Sequence, residues 1–378
     1  MGINENPCAI FVAIRGFGLF QSRLQLIQTL LGSGWSVVVA TMKDNYADQL
    51  ADMGAMVEEV PFKRGGISPL EDVRAFLNLI KVYKKHQPHL IHIFHGKPII
   101  LGGLASYMQP GAKVVCTVTG LGHAFIKKTL LRNLSAFGYR STLKRSDAVI
   151  FQNPDDMCKF VELNLVSPEL AHLIISSGVD IVRYSSGGDR INQNGTLRVL
   201  MVTRLLWQKG VREFIDAAVQ VKSKHPNVSF QLAGEWDPVH PDAVDKRSLD
   251  QAVEMGYIDF LGYLTDMPEQ LRDVDVFVLP SYREGVPRVL LEAAACGVSV
   301  VTTDVPGCRE VVIHGETGLL VPPRDNQALA QAIEVLINDQ ELRYQMGKNA
   351  RKFVEKKFDI RLITQKYLEI YRSLGIEI

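Results

Sequence analysis

Cysteine is scarce in this 378-residue chain. Cys8, Cys116, Cys158, Cys296 and Cys308 are odd in number, scattered, and form no C-x-x-C pair. Such usage argues against a disulfide framework or a structural zinc and fits a reducing cytoplasm. Long hydrophobic runs are lacking too. Stretches such as Cys8–Ile14 and Ile99–Leu104 fall well short of the roughly 18 to 20 residues of a membrane-spanning helix. The residues before Ala9 carry neither the charged head nor the cleavage site of a secretory signal, so the expectation is a chain that is not exported. No aspartate-rich metal cluster is visible, and the formal net charge is only +1; neither a metal nor a nucleic-acid partner is expected.

That balance hides an asymmetry. Residues 1–185 carry 19 Lys+Arg against 14 Asp+Glu, and the remainder 23 against 27. From Lys113 to Arg145 there are seven basic residues and no acid. Ile126, Leu130, Leu134 and Phe137 recur there at helical spacing beside Lys127, Lys128 and Arg132. The stretch suits docking on an anionic membrane surface, or is a solvated helix whose apolar stripe faces the core.

At 378 residues the chain exceeds one hydrophobic core, so two domains are expected. Short apolar runs at Ile10–Ile14, Val37–Ala40, Val57–Val60, Leu90–Phe94, Val114–Val118 and Ala148–Phe151 read as strands. They alternate with helical spacings such as Leu24, Ile27, Leu30, Leu31 and Val73, Phe76, Leu77, Ile80. Repeated β-α-β units of this kind build a doubly wound parallel sheet. The polar, glycine-rich stretch 185–195 reads as a linker. The pattern then restarts, with strands at Leu197–Val202, Ser229–Ala233, Ile258–Leu261, Val276–Leu279 and Val298–Thr302. Helices are expected at Val211–Lys224, Ala243–Met255, Pro287–Ala295 and Asn326–Ile337. The α/β domains expected are 1–185 and 196–358. Residues 359–378 add a helix that packs on existing structure, returning to the first domain. Two such sheets facing across a cleft would bind ligands at their carboxyl ends.

Chemistry concentrates after residue 197. Glu284 and Glu292 are separated by seven residues, the first in a loop after a strand, the second inside a helix whose first turn suits Pro287. A carboxylate accepts paired hydrogen bonds from vicinal hydroxyls, which ribose and hexose both offer. Free N–H groups of Gly285 and Val286 are expected beside them. Dipole compensation alone, at ~0.3 to 1 kcal/mol, also accounts for glutamates near a helix start. Arg204 and Lys209, directly after the first strand of this half, favour the ligand. A diphosphate in a partly dry cleft needs cations, at roughly 1.5 to 3 kcal/mol per charged hydrogen bond.

Together Arg204, Lys209-Gly210, Phe277-Val-Leu-Pro-Ser281, Glu284-x7-Glu292, Gly297, Pro306-Gly307 and Gly315-Glu-Thr-Gly318 resemble a GT-B glycosyltransferase of family four, the large retaining group. The resemblance implies that Arg204 and Lys209 hold a donor diphosphate, that Glu284 contacts the transferred sugar, that Glu292 holds the ribose, and that Gly262 and Tyr263 lie near the base. Arg15-Gly16-Phe-Gly18 matches the glycine loop that approaches the donor phosphate, or is a simple tight turn. It is not the G-x-G-x-x-G of a dinucleotide site, because Gln21 stands in place of the third glycine.

Many members carry a histidine after the fifth strand, where Thr119 stands here. His123 is one substitute, or a plain loop residue, and His95 is another candidate. Trp207-Gln-Lys-Gly-Val-Arg-Glu-Phe and Gly120-Leu-Gly122 resemble bacterial enzymes that extend an undecaprenyl-diphosphate-linked sugar with an α-linked N-acetylhexosamine. The implied partners are a UDP-sugar donor, probed first as N-acetylgalactosamine, and a lipid-linked acceptor at the inner face of the cytoplasmic membrane. A sugar-nucleotide epimerase or phosphorylase of the same fold, or a noncatalytic sugar-nucleotide-binding subunit, are the rival expectations.

Overall fold

A computed structural model describes residues 6–63, 68–120, 130–185, 195–238 and 240–378. The chain divides into two compact units, Met1–Ser177 with Arg361–Ile378, and Gly178–Ile360. The division falls at Ser177 rather than in the polar stretch after 185. The reason is local: the Val179 amide donates to the Phe358 carbonyl, and Ile360 donates to that of Val179, which ties the start of the second unit to its end.

In the first unit, strands β1 (Cys8–Arg15), β2 (Ser36–Met42), β3 (Met56–Glu59), β4 (Leu90–Phe94), β5 (Lys113–Val118), β6 (Ala148–Phe151) and β7 (Ala171–Leu173) pair in parallel in the order β3-β2-β1-β4-β5-β6-β7. Helices α1 (Gly16–Gly32), α2 (Asn45–Asp52), α3 (Pro69–His86), α4 (Gly96–Ser106), α5 (Leu130–Leu143) and α6 (Pro154–Glu162) connect them.

The second unit repeats the plan. Strands β8 (Arg198–Val202), β9 (Ser229–Ala233), β10 (Asp259–Gly262), β11 (Val276–Leu279), β12 (Ser299–Thr303) and β13 (Gly318–Val321) run β10-β9-β8-β11-β12-β13, all parallel. Helices α7 (Val211–Lys224), α8 (Lys246–Glu254), α9 (Met267–Arg272), α10 (Arg288–Ala295), α11 (Asn326–Asn338) and α12 (Gln340–Phe358) accompany them. In both sheets the order reverses between the first and fourth strands, and loops leaving such a switch point form the usual ligand crevice.

Strand alternation sorts the first unit's two cores. Cys8, Ile10 and Val12 join residues of α3, α4, α5 and α6. Ala9, Phe11 and Ala13 join α1 and the last helix, α13 (Ile360–Ser373), through Ile363, Tyr367, Leu368 and Tyr371. Arg23 of α1 is buried in that second core, its guanidinium 5.0 Å from the Phe94 ring centroid and 4.8 Å from that of Tyr367. Below it the two ring nitrogens of His92 meet the hydroxyls of Tyr371 and of Thr117, the latter at 2.7 Å.

Some expected boundaries shift. The helix expected from Ala243 begins at Lys246, because Leu206 and Ala243 form an antiparallel bridge and Asp245 caps through the Ser248 amide at 2.8 Å. Val73 and Leu77, read as part of an apolar helix face, are exposed at 56% and 51%. The buried face of α3 is Ala75, Leu79, Val82 and Tyr83.

Candidate functional site

Each unit gathers charged and polar side chains at the carboxyl ends of its central strands. In the second unit, β8 delivers Arg204 and Lys209, and β11 delivers Ser281 and Glu284. Lys209 Nζ lies 2.5 Å from Glu284 Oε1, the pair being half-buried or deeper, and Ser281 Oγ donates to the same oxygen at 2.7 Å. The Arg204 side chain is exposed, with no hydrogen bond or ion pair to any described residue. The segment after β8 therefore carries one cation engaged with the Glu284 carboxylate, Lys209, and one exposed cation, Arg204. The buried Cys308 thiol, near Glu284, is pushed up to about 12 by burial first and by that carboxylate second; it is inert as a nucleophile.

Close backbone packing fixes this geometry. Gly210 sits in the left-handed region at φ 80°, and a Cβ there would come within 2.1 Å of the Pro280 carbonyl oxygen. Gly307, at φ 89°, backs the acidic loop so closely that a Cβ would lie 2.4 Å from the Gly285 oxygen. Only glycine serves at either place. The Glu284 amide donates to the Pro306 carbonyl at 3.3 Å. Asp242 steadies the cationic loop, its backbone oxygen accepting from the Trp207 amide and its carboxylate from the Gln208 amide, both at 2.9 Å. Nothing in the sequence marks Asp242, which lies 34 residues from its partner.

Glu292 is buried on α10. Its Oε1 receives both Nε and Nη2 of Arg288, at 3.0 and 2.9 Å. Pro287 is the N-cap of α10 in extended conformation, not a first-turn residue. Gly285 and Val286 consequently lie in the loop before the helix, and their N–H groups are not helix-terminal donors as expected. Gly262 ends β10 at φ 69°, and its carbonyl accepts from the Gly234 amide at 2.8 Å; Tyr263, beside it, is 56% exposed.

In the first unit Gly16 starts α1 directly after β1. A Cβ there would lie 2.4 Å from Asp44 Oδ1 and 2.6 Å from the Ala47 amide, so the glycine admits the N-terminus of α2. Asp44 also accepts from the Phe17 amide at 3.2 Å and lies 3.6 Å from Arg15. The packing alone requires Gly16, whatever else its loop does.

The candidates Thr119 and His95 come together. His95 Nδ1 lies 2.8 Å from Thr119 Oγ1, and the parallel register Phe94↔Thr117 sets the two loops side by side. His95 holds φ 67°, uncommon for a residue with a Cβ. Burial, and then the Arg23 charge, hold its imidazole down at about 4, so it is neutral at pH 7. His123 lies outside the described residues, as do Ile126, Lys127 and Lys128. Arg140 and Arg145, counted with the basic surface, are spent on backbone: Arg140 donates to the carbonyls of Leu163 and Asn164, Arg145 to those of Gln109 and Ala112.

Comparison with known proteins covers both units. Residues 190–353 match the family described as Glycosyl transferases group 1, and residues 15–153 match Glycosyl transferase 4-like. An N,N'-diacetylbacillosaminyl-diphospho-undecaprenol alpha-1,3-N-acetylgalactosaminyltransferase of Campylobacter jejuni is 29% identical, over 96% of this chain and 97% of its own. A UDP-Gal:alpha-D-GlcNAc-diphosphoundecaprenol alpha-1,3-galactosyltransferase of Escherichia coli is 26% identical over 84% of either chain's length, to within a percent. The solved structure of HepE from Anabaena, in complex with UDP and glucose, superposes with a TM-score of 0.81 at 22% identity, covering 97% of this chain and all of the other.

Proposed function

Since this chain belongs to the GT-B glycosyltransferases, group 1 in its second half and 4-like in its first, we propose that it transfers a hexosamine, N-acetylgalactosamine foremost, from its UDP form to an undecaprenyl-diphosphate-linked sugar, with retention of configuration. The observation that carries the reading is the cluster of Lys209, Ser281 and Glu284 at the switch point of the second sheet, with the exposed Arg204 on the same segment after β8 as Lys209. The C. jejuni and E. coli relatives, whose names specify diphospho-undecaprenol acceptors, support the acceptor class.

Lys209 is prepositioned by Glu284, and a donor diphosphate would draw on Arg204 and Lys209 together. Their attraction grows as the leaving group gains charge in the transition state. Glu284 then accepts from a hydroxyl of the transferred sugar, and Glu292 from the ribose. On this reading the cations Arg204 and Lys209 supply the charge neutralisation, and transfer is expected to need no metal. In the first unit, the neutral His95 held by Thr119 offers Nε2 to the acceptor.

The acceptor's lipid suggests a membrane partner. No described helix is long and apolar enough to cross a bilayer, so contact with the inner leaflet would be peripheral. The exposed face of α3 fits an anionic surface: Leu70, Val73 and Leu77 line up with exposed Arg74, Lys81 and Lys84, and no acid shares that arc. Phe137, 68% exposed on α5, adds a second apolar point.

Turnover with a panel of UDP-sugars and undecaprenyl-diphosphate-linked acceptors, with and without a chelator, tests the reading. Transfer should proceed in the chelator, and Arg204→Ala should lower kcat about 100-fold, the scale of losing one electrophilic donor. Isomerised donor in the absence of acceptor would identify an epimerase instead, and wild-type turnover by Arg204→Ala would remove Arg204 from the machinery.

A further inference from the structure

Glu292 is more heavily engaged than a bare diol acceptor would be. A carboxylate offers about four acceptor positions. Two are filled on one oxygen, because Arg288 sends both Nε (3.0 Å) and Nη2 (2.9 Å) to Oε1. The spacing of four residues on α10 lets this pair form within one helix face. Tyr184 approaches the same carboxylate as a third donor; burial first, and the adjacent Glu292 charge next, push its hydroxyl well above the ordinary tyrosine range. The chain around Tyr184 is itself pinned. Arg351 of α12 donates to the carbonyls of Ile181 (2.8 Å), Tyr184 and Ala295, the last being the final residue of α10.

We propose that Arg288 is a positioning residue for the donor nucleotide: by filling Oε1 it turns Oε2 toward the ribose and restricts the carboxylate to reading essentially one hydroxyl. The inference rests on the assignment of Glu292 to the ribose. A vicinal diol facing a free carboxylate would engage both oxygens. Facing this one, it finds a single strong acceptor position, so one of the two hydroxyls carries most of the discrimination. Arg288 Nη1 is buried with no hydrogen-bond partner among the described residues, so the guanidinium's bonds go to Glu292, and its removal empties Oε1 and leaves Tyr184 as the donor to the carboxylate.

Calorimetric binding of UDP, 2′-deoxy-UDP and 3′-deoxy-UDP to the full chain separates the possibilities. The wild type should bind one deoxy nucleotide about tenfold or more weaker than UDP, the range of one charge-assisted hydrogen bond, and the other within about threefold. Arg288→Met should bring the two deoxy nucleotides within about threefold of each other. A merely structural role would lower all three affinities in parallel and leave their ratios unchanged. Should Arg288→Met fail to fold, Arg288→Lys, which offers a point charge in place of a planar fork, should show the same loss of asymmetry in part. If the wild type ignores both deletions, Glu292 does not read the ribose and the donor assignment itself falls. If the wild type discriminates and both variants keep its full asymmetry, the assignment of Glu292 stands and the role given to Arg288 is wrong.

Discussion

His95 shows what a single residue in this fold withstands. It keeps a positive φ and a neutral ring in a half-buried loop, a conformation that costs of order 1 to 3 kcal/mol and persists only where its surroundings over-determine it. Unfolded, an imidazole takes its proton near pH 6.5; folded, His95 takes it only at about 4, and His92 is lowered well below 6.5 as well. Between those values the unfolded chain binds more protons. The stability conferred by the neutral rings is therefore complete above pH 6.5 and is lost as pH falls toward 4. Denaturant midpoints of the wild type should drop across that window, and His95→Asn should flatten the slope; an unchanged slope would show that His95 titrates normally. Residues of the site were unevenly legible. Arg204, Lys209 and Glu284 announce themselves as charges just after apolar strands. The union of His95 and Thr119 does not, since it depends on the register of β4 on β5. Asp242 does not either, since it acts across a loop.

Elements with β-branched apolar runs or helical spacing were readable, because parallel strands buried on both faces are nearly continuous in Val and Ile. Those that escaped carry weak signals. β7 is three residues long, Ala-His-Leu, and β13 opens on Gly318 at the sheet edge. α12 is rich in charge, and its buried row of Met346, Ala350, Val354 and Phe358 is narrow, widened only by Gly347, which has no side chain to signal it. The opposite failing occurred on α3, where apolar residues at helical spacing point outward. Its exposed face predicts membrane behaviour directly. Neutralising Arg74, Lys81 and Lys84 together should weaken binding to anionic liposomes about 100-fold, near 1 kcal/mol per basic residue, while UDP binding is unchanged. Equal sedimentation of wild type and triple variant would clear α3 of that role.

At the level of the whole molecule, the two units have separate cores joined by chain crossings at Ser177 and Ile360. A defect in one should therefore stay there. Tyr367→Ala removes a buried ring from the first unit's core together with its contact to Arg23, at about 3 to 5 kcal/mol on the scale of buried aromatic truncations. Hydrogen exchange should accelerate through residues 6–177 and stay near wild type in 178–360. Uniform acceleration would mean that the units unfold as one. The placement of α13 also orders events during synthesis. Residues 178–360 emerge from the ribosome before Ile363, Tyr367 and Tyr371 do, so the unit translated first is the last to close. Until its final helix arrives, the nascent sheet presents Phe11 and Phe94 without their cover, and Arg23 without one of the two rings that enclose it.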